Sequence, residues 1–212
     1  MSLIIEKKKV LVRLGSPVIG QQKIQTVSST SITFTFVSTP AAGSKLCFYI
    51  GAASISSALT ATPTGWVSLF QNSSNSPSIS VGYVIADGVT NSFTFTYGSS
   101  TFLMCVGWEV YGVSSVTYAG SNFATGTSGI ICDAGIGFTN QEQNTLKLAG
   151  FGPAGGSMSG ITWNNGYGNQ LDSSRGGGSS RLSNTLVTSQ DATVNWTTNR
   201  QVQSAVIKCA LL

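Results

Sequence analysis

Two aromatic rings set among amides are the residues here best suited to binding chemistry. The run Trp163-Asn164-Asn165-Gly166-Tyr167-Gly168-Asn169-Gln170 offers ring faces on which a sugar stacks and amides that hold its hydroxyls. An apolar face with a few polar groups is the usual make-up of a small-ligand site. Trp163, Asn165 and Tyr167 are therefore candidate glycan-binding residues. The plainer reading is that Trp163 ends a strand as core and the amides make turns. Trp66, Trp108 and Trp196 read as core, because packed sheets need large residues to fill the space between them.

Catalytic groups are scarce. The chain has 212 residues with 7 acids, 11 bases and no histidine. That excludes histidine general-base catalysis and His-ligated metals. A Ser–Lys pair remains a formal option for a serine nucleophile, but no Gly-x-Ser-x-Gly elbow occurs. The nearest run, Gly155-Gly156-Ser157-Met158-Ser159-Gly160, has the wrong spacing. Asp133, Glu142, Asp172 and Asp191 are the carboxylates from which a glycosidase pair would be drawn. Each reads more simply as a turn or solvated residue. Seven dispersed acids do not build a calcium cage. Gly176-Gly177-Gly178 lacks the lysine and following helix that a phosphate cradle needs. The sequence predicts no enzyme: no catalytic residue, no metal site, no cofactor.

Cys47, Cys105, Cys132 and Cys209 are far apart and form no C-x-x-C, which argues against zinc. Cys47, Cys105 and Cys209 sit in apolar strand-like runs and read as small buried hydrophobes. Disulfides are the alternative. Cys132, in a Gly-rich stretch, reads as the exposed thiol.

Charged residues are only 8% of the chain, and their charge is concentrated. Residues 1–23 hold Lys7, Lys8, Lys9, Arg13 and Lys23 against Glu6, a net +4; residues 24–212 hold six bases and six acids and are neutral. A basic arm thus precedes a neutral body. Lys7, Lys8, Lys9 and Arg13 are candidate partner-binding residues, with the arm adding a strand to another protein's sheet. The plainer reading is an edge strand or frayed terminus with solvated lysines. Nucleic acid is a poor match, since three or four phosphate contacts bind weakly and the body supplies no basic stripe.

These residues must be positioned by strands. About a quarter of the chain is Ser or Thr, with 25 Gly, a mixture typical of sheets with many turns. Apolar residues alternate at Ile32, Phe34, Phe36; at Leu46, Phe48, Ile50; at Ile79, Val81, Tyr83, Ile85; and at Phe93, Phe95, Tyr97. This period of two predicts half-buried strands. Phe102 to Val113 is apolar on both faces, as a covered central strand would be, with a buried helix as the competitor. Further strands are predicted at 115–119, 130–138, 144–151, 158–163, 184–188, 192–197 and 202–211, with Lys208 pointing outward. Asn164 to Ser180 is predicted to be the largest loop. No window shows helical periodicity with caps, and no repeat of 20–50 residues is visible. Residues 24–212 therefore read as one all-β domain of two packed antiparallel sheets. There is no apolar run long enough to span a membrane and no secretory signal. The chain is expected to be made in a cytoplasm and to stay intact from Met1.

The order of features resembles phage and prophage virion structural domains with a lectin-like jelly-roll β-sandwich. The resemblance is carried by Gly43-Ser44-Lys45-Leu46, Pro63-Thr64-Gly65-Trp66, Gly82-Tyr83-Val84, Phe93-Thr94-Phe95-Thr96 and Glu109-Val110-Tyr111-Gly112-Val113. Looser matches follow at Leu146 to Leu148, Trp163, and Val194 to Trp196. It covers most of residues 24–212 and leaves the arm outside. It implies a jelly-roll-like sandwich in a virion of the capsid decoration, head-associated or tail-fibre type, assembled in the host cytoplasm. The expected partners are capsid or tail proteins and copies of the chain itself, as a homotrimer that covers its Ser/Thr-rich sheet edges. The alternative is a tail-fibre or lectin-like module that recognises host surface glycan.

Overall fold

The computed structural model describes residues 16–132, 144–183 and 192–211. Among them are twelve β-strands and no helix. The first six are β1 (Val18–Thr35), β2 (Lys45–Ala52), β3 (Leu59–Ala61), β4 (Val67–Asn72), β5 (Ser78–Ile85) and β6 (Ser92–Tyr111). The second six are β7 (Ser115–Ile131), β8 (Thr145–Pro153), β9 (Thr162–Trp163), β10 (Gly168–Ser173), β11 (Gly176–Ser183) and β12 (Thr193–Ala210). The architecture is an all-β, jelly-roll-like antiparallel sandwich of two curled sheets.

Each half of the chain closes its own sheet. The first is ordered β1-β6-β2-β5-β4, with β3 also pairing β6; the second, read from its other edge, is β7-β12-β8-β11-β10, with β9 also pairing β12. Strand for strand the two orders match: β1 corresponds to β7, β2 to β8, and so on to β6 and β12. Val18–Tyr111 and Ser115–Ala210 are therefore two copies of one six-strand plan, joined by Gly112-Val113-Ser114.

The copies pack as an isologous pair would. The strands that approach one another across the sandwich are β2 with β8, β1 with β10, β4 with β7, β5 with β12, and β6 with β11. Under the correspondence, β2–β8 maps onto itself, and the other four contacts exchange in two pairs. A pseudo-twofold axis thus passes between β2 and β8. Named contacts mark this interface. Gln22 Nε2 donates to the carbonyl of Asn169 at 2.9 Å, and Phe70 stacks on Tyr118 with centroids 4.6 Å apart. The Tyr49 hydroxyl crosses to the carbonyl of Gln203 at 2.8 Å.

Three cores result. The central one lies between the sheets and includes Cys47, Tyr49, Val106, Trp108, Leu146, Leu148, Ile207 and Cys209. The other two lie on the outer face of each sheet, because the long strands bend over it. β1 and β6 shift register between Ser29 and Ser31, and beyond that point bring Ile32, Phe34, Phe93 and Phe95 over Leu46, Phe48 and Ile50 of β2. β12 shifts register against β7 between Asn195 and Val202, and brings Val194 and Trp196 over Ala149 and Phe151 of β8. This explains why β2 and β8 are buried along almost their whole length. Odd and even residues both face a core.

Several sequence expectations change. The domain boundary placed after residue 23 falls inside β1, which begins at Val18. Gly20 does not break the chain there; it makes room for the Tyr111 ring, which a Cβ would meet at 2.1 Å. The loop expected over Asn164 to Ser180 contains β10 and most of β11. Glycine reads as loop, but a Cβ on Gly178 would come within 2.6 Å of Val106 and 2.8 Å of Trp108. The close approach of the two sheets requires it. The strands read separately at 93–97 and 102–113, and at 192–197 and 202–211, are the two arms of continuous β6 and β12. β3 and β4 lacked a legible alternation. Only Thr162–Trp163 of the expected 158–163 strand is paired. Cys132, expected to be exposed, is fully buried in the second outer core, under Ala192 and Val194. The expected strand 184–188 and most of 130–138 lie outside the described residues.

Candidate functional site

The glycan candidates sit in a tight turn. Asn164-Asn165-Gly166-Tyr167 is closed by the Tyr167 amide donating to the Asn164 carbonyl at 3.4 Å. Asn165 and Gly166 both have positive φ, 60° and 73°, a conformation that Asn and Gly tolerate. The exposed Asn165 is thus explained by its backbone. Trp163 and Tyr167 are only 7% and 4% exposed. Their rings pack together at 6.3 Å, and Trp163 lies edge-on to Phe151 at 5.4 Å. The Trp163 indole donates to Asp172 Oδ1 at 3.1 Å. Desolvation by burial raises the Asp172 pKa, and this hydrogen bond opposes the rise. Rings so enclosed present no face to a sugar.

The repeat gives the same answer independently. In the first unit, Pro63-Thr64-Gly65-Trp66 occupies the equivalent position before β4. There the Trp66 amide donates to the Pro63 carbonyl at 3.2 Å, and Gly65 has φ +77°. Trp66 packs on Phe95 and Phe48, at 5.2 and 6.2 Å. Tyr167 and Trp66 are equivalent plugs that close the outer core of their units.

The arm residues Lys7, Lys8, Lys9 and Arg13 lie outside the described residues. Its point of departure is described. Ser16 Oγ donates to Asn144 Oδ1 at 3.3 Å, at the head of β8, and the chain enters β1 two residues later. Lys23, counted with the arm, is on β1 and donates to the Thr35 carbonyl at 3.0 Å. A second basic feature appears on the outer face of the second sheet. Arg181, Lys147 and Lys208 stand directly opposite one another on β11, β8 and β12. Lys147 is only 2% exposed, and Lys208, expected to point outward, is half-buried. Strand periodicity alone does not show this row, since it exists only once three distant strands are in register.

A groove on the first sheet was also not legible in sequence. Its volume is about 730 Å³, and it is lined by residues 61–65 and Val67, by Val84, Ile85 and Asp87 at the end of β5, and by Thr90 and the start of β6. Six hydroxyl-bearing residues line it, Thr62, Thr64, Thr90, Ser92, Thr94 and Thr96, together with apolar residues that include Val84 and Phe93. Asp87 is its one carboxylate. It accepts from Thr90 Oγ1 at 2.6 Å, the Thr90 amide at 2.7 Å and the Val89 amide at 2.9 Å. These bonds, that from the Thr90 hydroxyl first, lower its pKa to about 2. With one carboxylate among its lining residues, the groove has no acid–base pair for glycoside hydrolysis. Hydroxyl-bearing residues beside apolar ones suit the holding of a polyol.

Glu109 looks like a catalytic group and is not placed as one. It is 1% exposed. Its Oε1 accepts from the Ala41 amide at 2.7 Å and lies 3.0 Å from Ser44 Oγ, while Oε2 accepts from Gln21 Nε2 at 2.7 Å. Burial pushes its pKa up, but the hydrogen bonds outweigh burial and hold it below the usual glutamate value. The carboxylate pins the Pro40–Gly43 turn onto β6.

No protein family, curated protein or solved structure matches the chain.

Proposed function

We propose that the chain is a non-enzymatic structural protein of a phage virion, of the capsid decoration or head-associated type, which packs beside copies of itself and is held by its N-terminal arm. The observation that carries this reading is the position of β1. It is an 18-residue strand at the border of its sheet and pairs only with β6 among the described residues. The basic arm runs directly into it. A long border strand offers a row of backbone donors and acceptors for strand addition by another chain. Its exposed side chains are mostly Ser and Thr, with Val18 exposed at its start and the half-buried Lys23 bonded back to the Thr35 carbonyl. The virion setting and the trimer come from the sequence resemblance. Deletion of residues 1–15 leaves β1 intact and tests the reading directly. The body is expected to fold normally, to sediment as an oligomer and to lose attachment to particles in electron micrographs. A monomeric body, or a truncated chain that still decorates particles, overturns it.

The groove beside Asp87 favours the second reading, a tail-fibre or lectin-like module for host glycan. On that reading Thr64→Val and Thr96→Val weaken glycan binding at least tenfold by calorimetry with little change in melting temperature. No glycan binding by the intact chain rejects it.

A further inference from the structure

Two cysteines meet across the pseudo-twofold interface. Cys47 is on β2 in the first unit and Cys209 is on β12 in the second. Their sulfurs are 3.8 Å apart, although 162 positions separate them in sequence. Both are free thiols and fully buried in the central core. The pair is set rigidly. Cys47 is registered with Tyr83 and Trp108 on its flanking strands, and Cys209 with Leu146 and Val116. Neither side chain lies at a mobile loop. A disulfide needs its sulfurs at about 2.05 Å, so about 1.8 Å of the 3.8 Å separation has to close.

We propose that Cys47 and Cys209 form a latent disulfide site that joins the two six-strand units covalently. The co-reactant is a small-molecule disulfide such as oxidised glutathione. One cysteine thiolate attacks it, forms a mixed disulfide and releases one glutathione thiol. The second cysteine thiolate attacks the mixed disulfide, closes the Cys47–Cys209 bond and releases the second glutathione. Two electrons pass from the cysteine pair to the oxidant, and the two cysteine protons end on the two glutathione thiols.

The fold also sets when this happens. Within the closed core, the hydrogen bond with Cys209 and then burial hold the Cys47 thiol well above its ordinary pKa, so the attacking thiolate is scarce. Both thiols are fully buried while the sheets are packed. The native thiols therefore stay reduced for long periods, and the bond forms when the sheets dock in an oxidising medium. Once closed, it restrains a very long loop of the unfolded chain, which is the arrangement in which a disulfide stabilises most.

The test uses the whole chain, unfolded under reductant and refolded in either a glutathione redox buffer or reductant alone. Remaining thiols are then alkylated in denaturant and counted by intact mass. The expected result is two alkylated cysteines after oxidative refolding and four after reductive refolding. Trypsin should leave the piece 209–212 bound to the piece 46–147 until reduction, and chymotrypsin should assign the bond to Cys47. The oxidised chain should melt about 10 °C higher. Cys105→Ala should keep the link, and Cys47→Ala should lose it. Four alkylated thiols, a persistent glutathione adduct, a link through Cys105 or Cys132, or an unchanged melting temperature overturns the proposal. The mapping on the unaltered chain decides the matter even where a variant fails to fold.

Discussion

Trp163 and Tyr167 show how one residue type supports opposite readings. Aromatics among amides describe an open sugar platform and a core plug before a turn equally well. Burial separates the two. Trp163→Ala is expected to destabilise the protein by about 3–5 kcal/mol, seen as a clear fall in the thermal midpoint; an unchanged midpoint would return the ring to the surface. Glu109 makes a second prediction at this scale. Its folded pKa is depressed, so its contribution is present above the unfolded value, about 4.3, and is lost as pH falls through the folded value. Glu109→Gln should lower stability at pH 7 by about 1–2 kcal/mol. It should also flatten the loss of stability between about pH 5 and pH 3, as measured by denaturant titrations across that range.

At the scale of the element, β6 and β12 decide the architecture. Each supplies one arm to a sheet and bends the other arm over that sheet's outer face. The alternation in Phe93-Thr94-Phe95 and the two-sided apolar run after Phe102 were both legible, but as separate strands. Their continuity depends on a bend that hydrophobic period does not encode. Glycine misled in the same way. A Gly-Ser run has no alternation to read, yet Gly178 pairs on both sides within β11, and it is glycine because Trp108 and Val106 of the facing sheet leave no space for a Cβ. Gly178→Ala is therefore expected to cost about 2 kcal/mol by overpacking, whereas alanine at the open turn position Ser74 should be nearly neutral. Chemical denaturation of the two variants side by side measures the contrast. Equal stability would mean that the sheets part easily at this point.

The whole molecule is a pseudo-dimer in one chain. Its central core is built from both units, and contacts such as Tyr49 to Gln203 cross it. A protease site placed at Gly112-Val113-Ser114 should thus be cleavable in the folded protein without releasing the halves. The nicked protein should elute as one particle on size exclusion and separate only in denaturant. Halves that part under native conditions would show that the linker, not the interface, holds them. The duplication was invisible in sequence for a physical reason. A two-layer sheet unit asks of each position only that it be apolar, small or polar on the appropriate face. β2 meets that demand with Lys-Leu-Cys-Phe-Tyr-Ile-Gly-Ala, and β8 meets it with Thr-Leu-Lys-Leu-Ala-Gly-Phe-Gly-Pro.

Composition and period determined that the chain is all-β, that its sheets pack face to face, and that its charge is concentrated at one end. These are local properties, set by backbone preference and by which side of a strand is apolar. Tertiary structure alone decided what lies opposite what. It enclosed Trp163 and Tyr167, lined a groove with hydroxyl residues from two separated segments, aligned Arg181, Lys147 and Lys208 across three strands, and set Cys47 against Cys209. Each depends on register and docking between residues far apart in the chain, where a shift of one position moves a side chain to the other face.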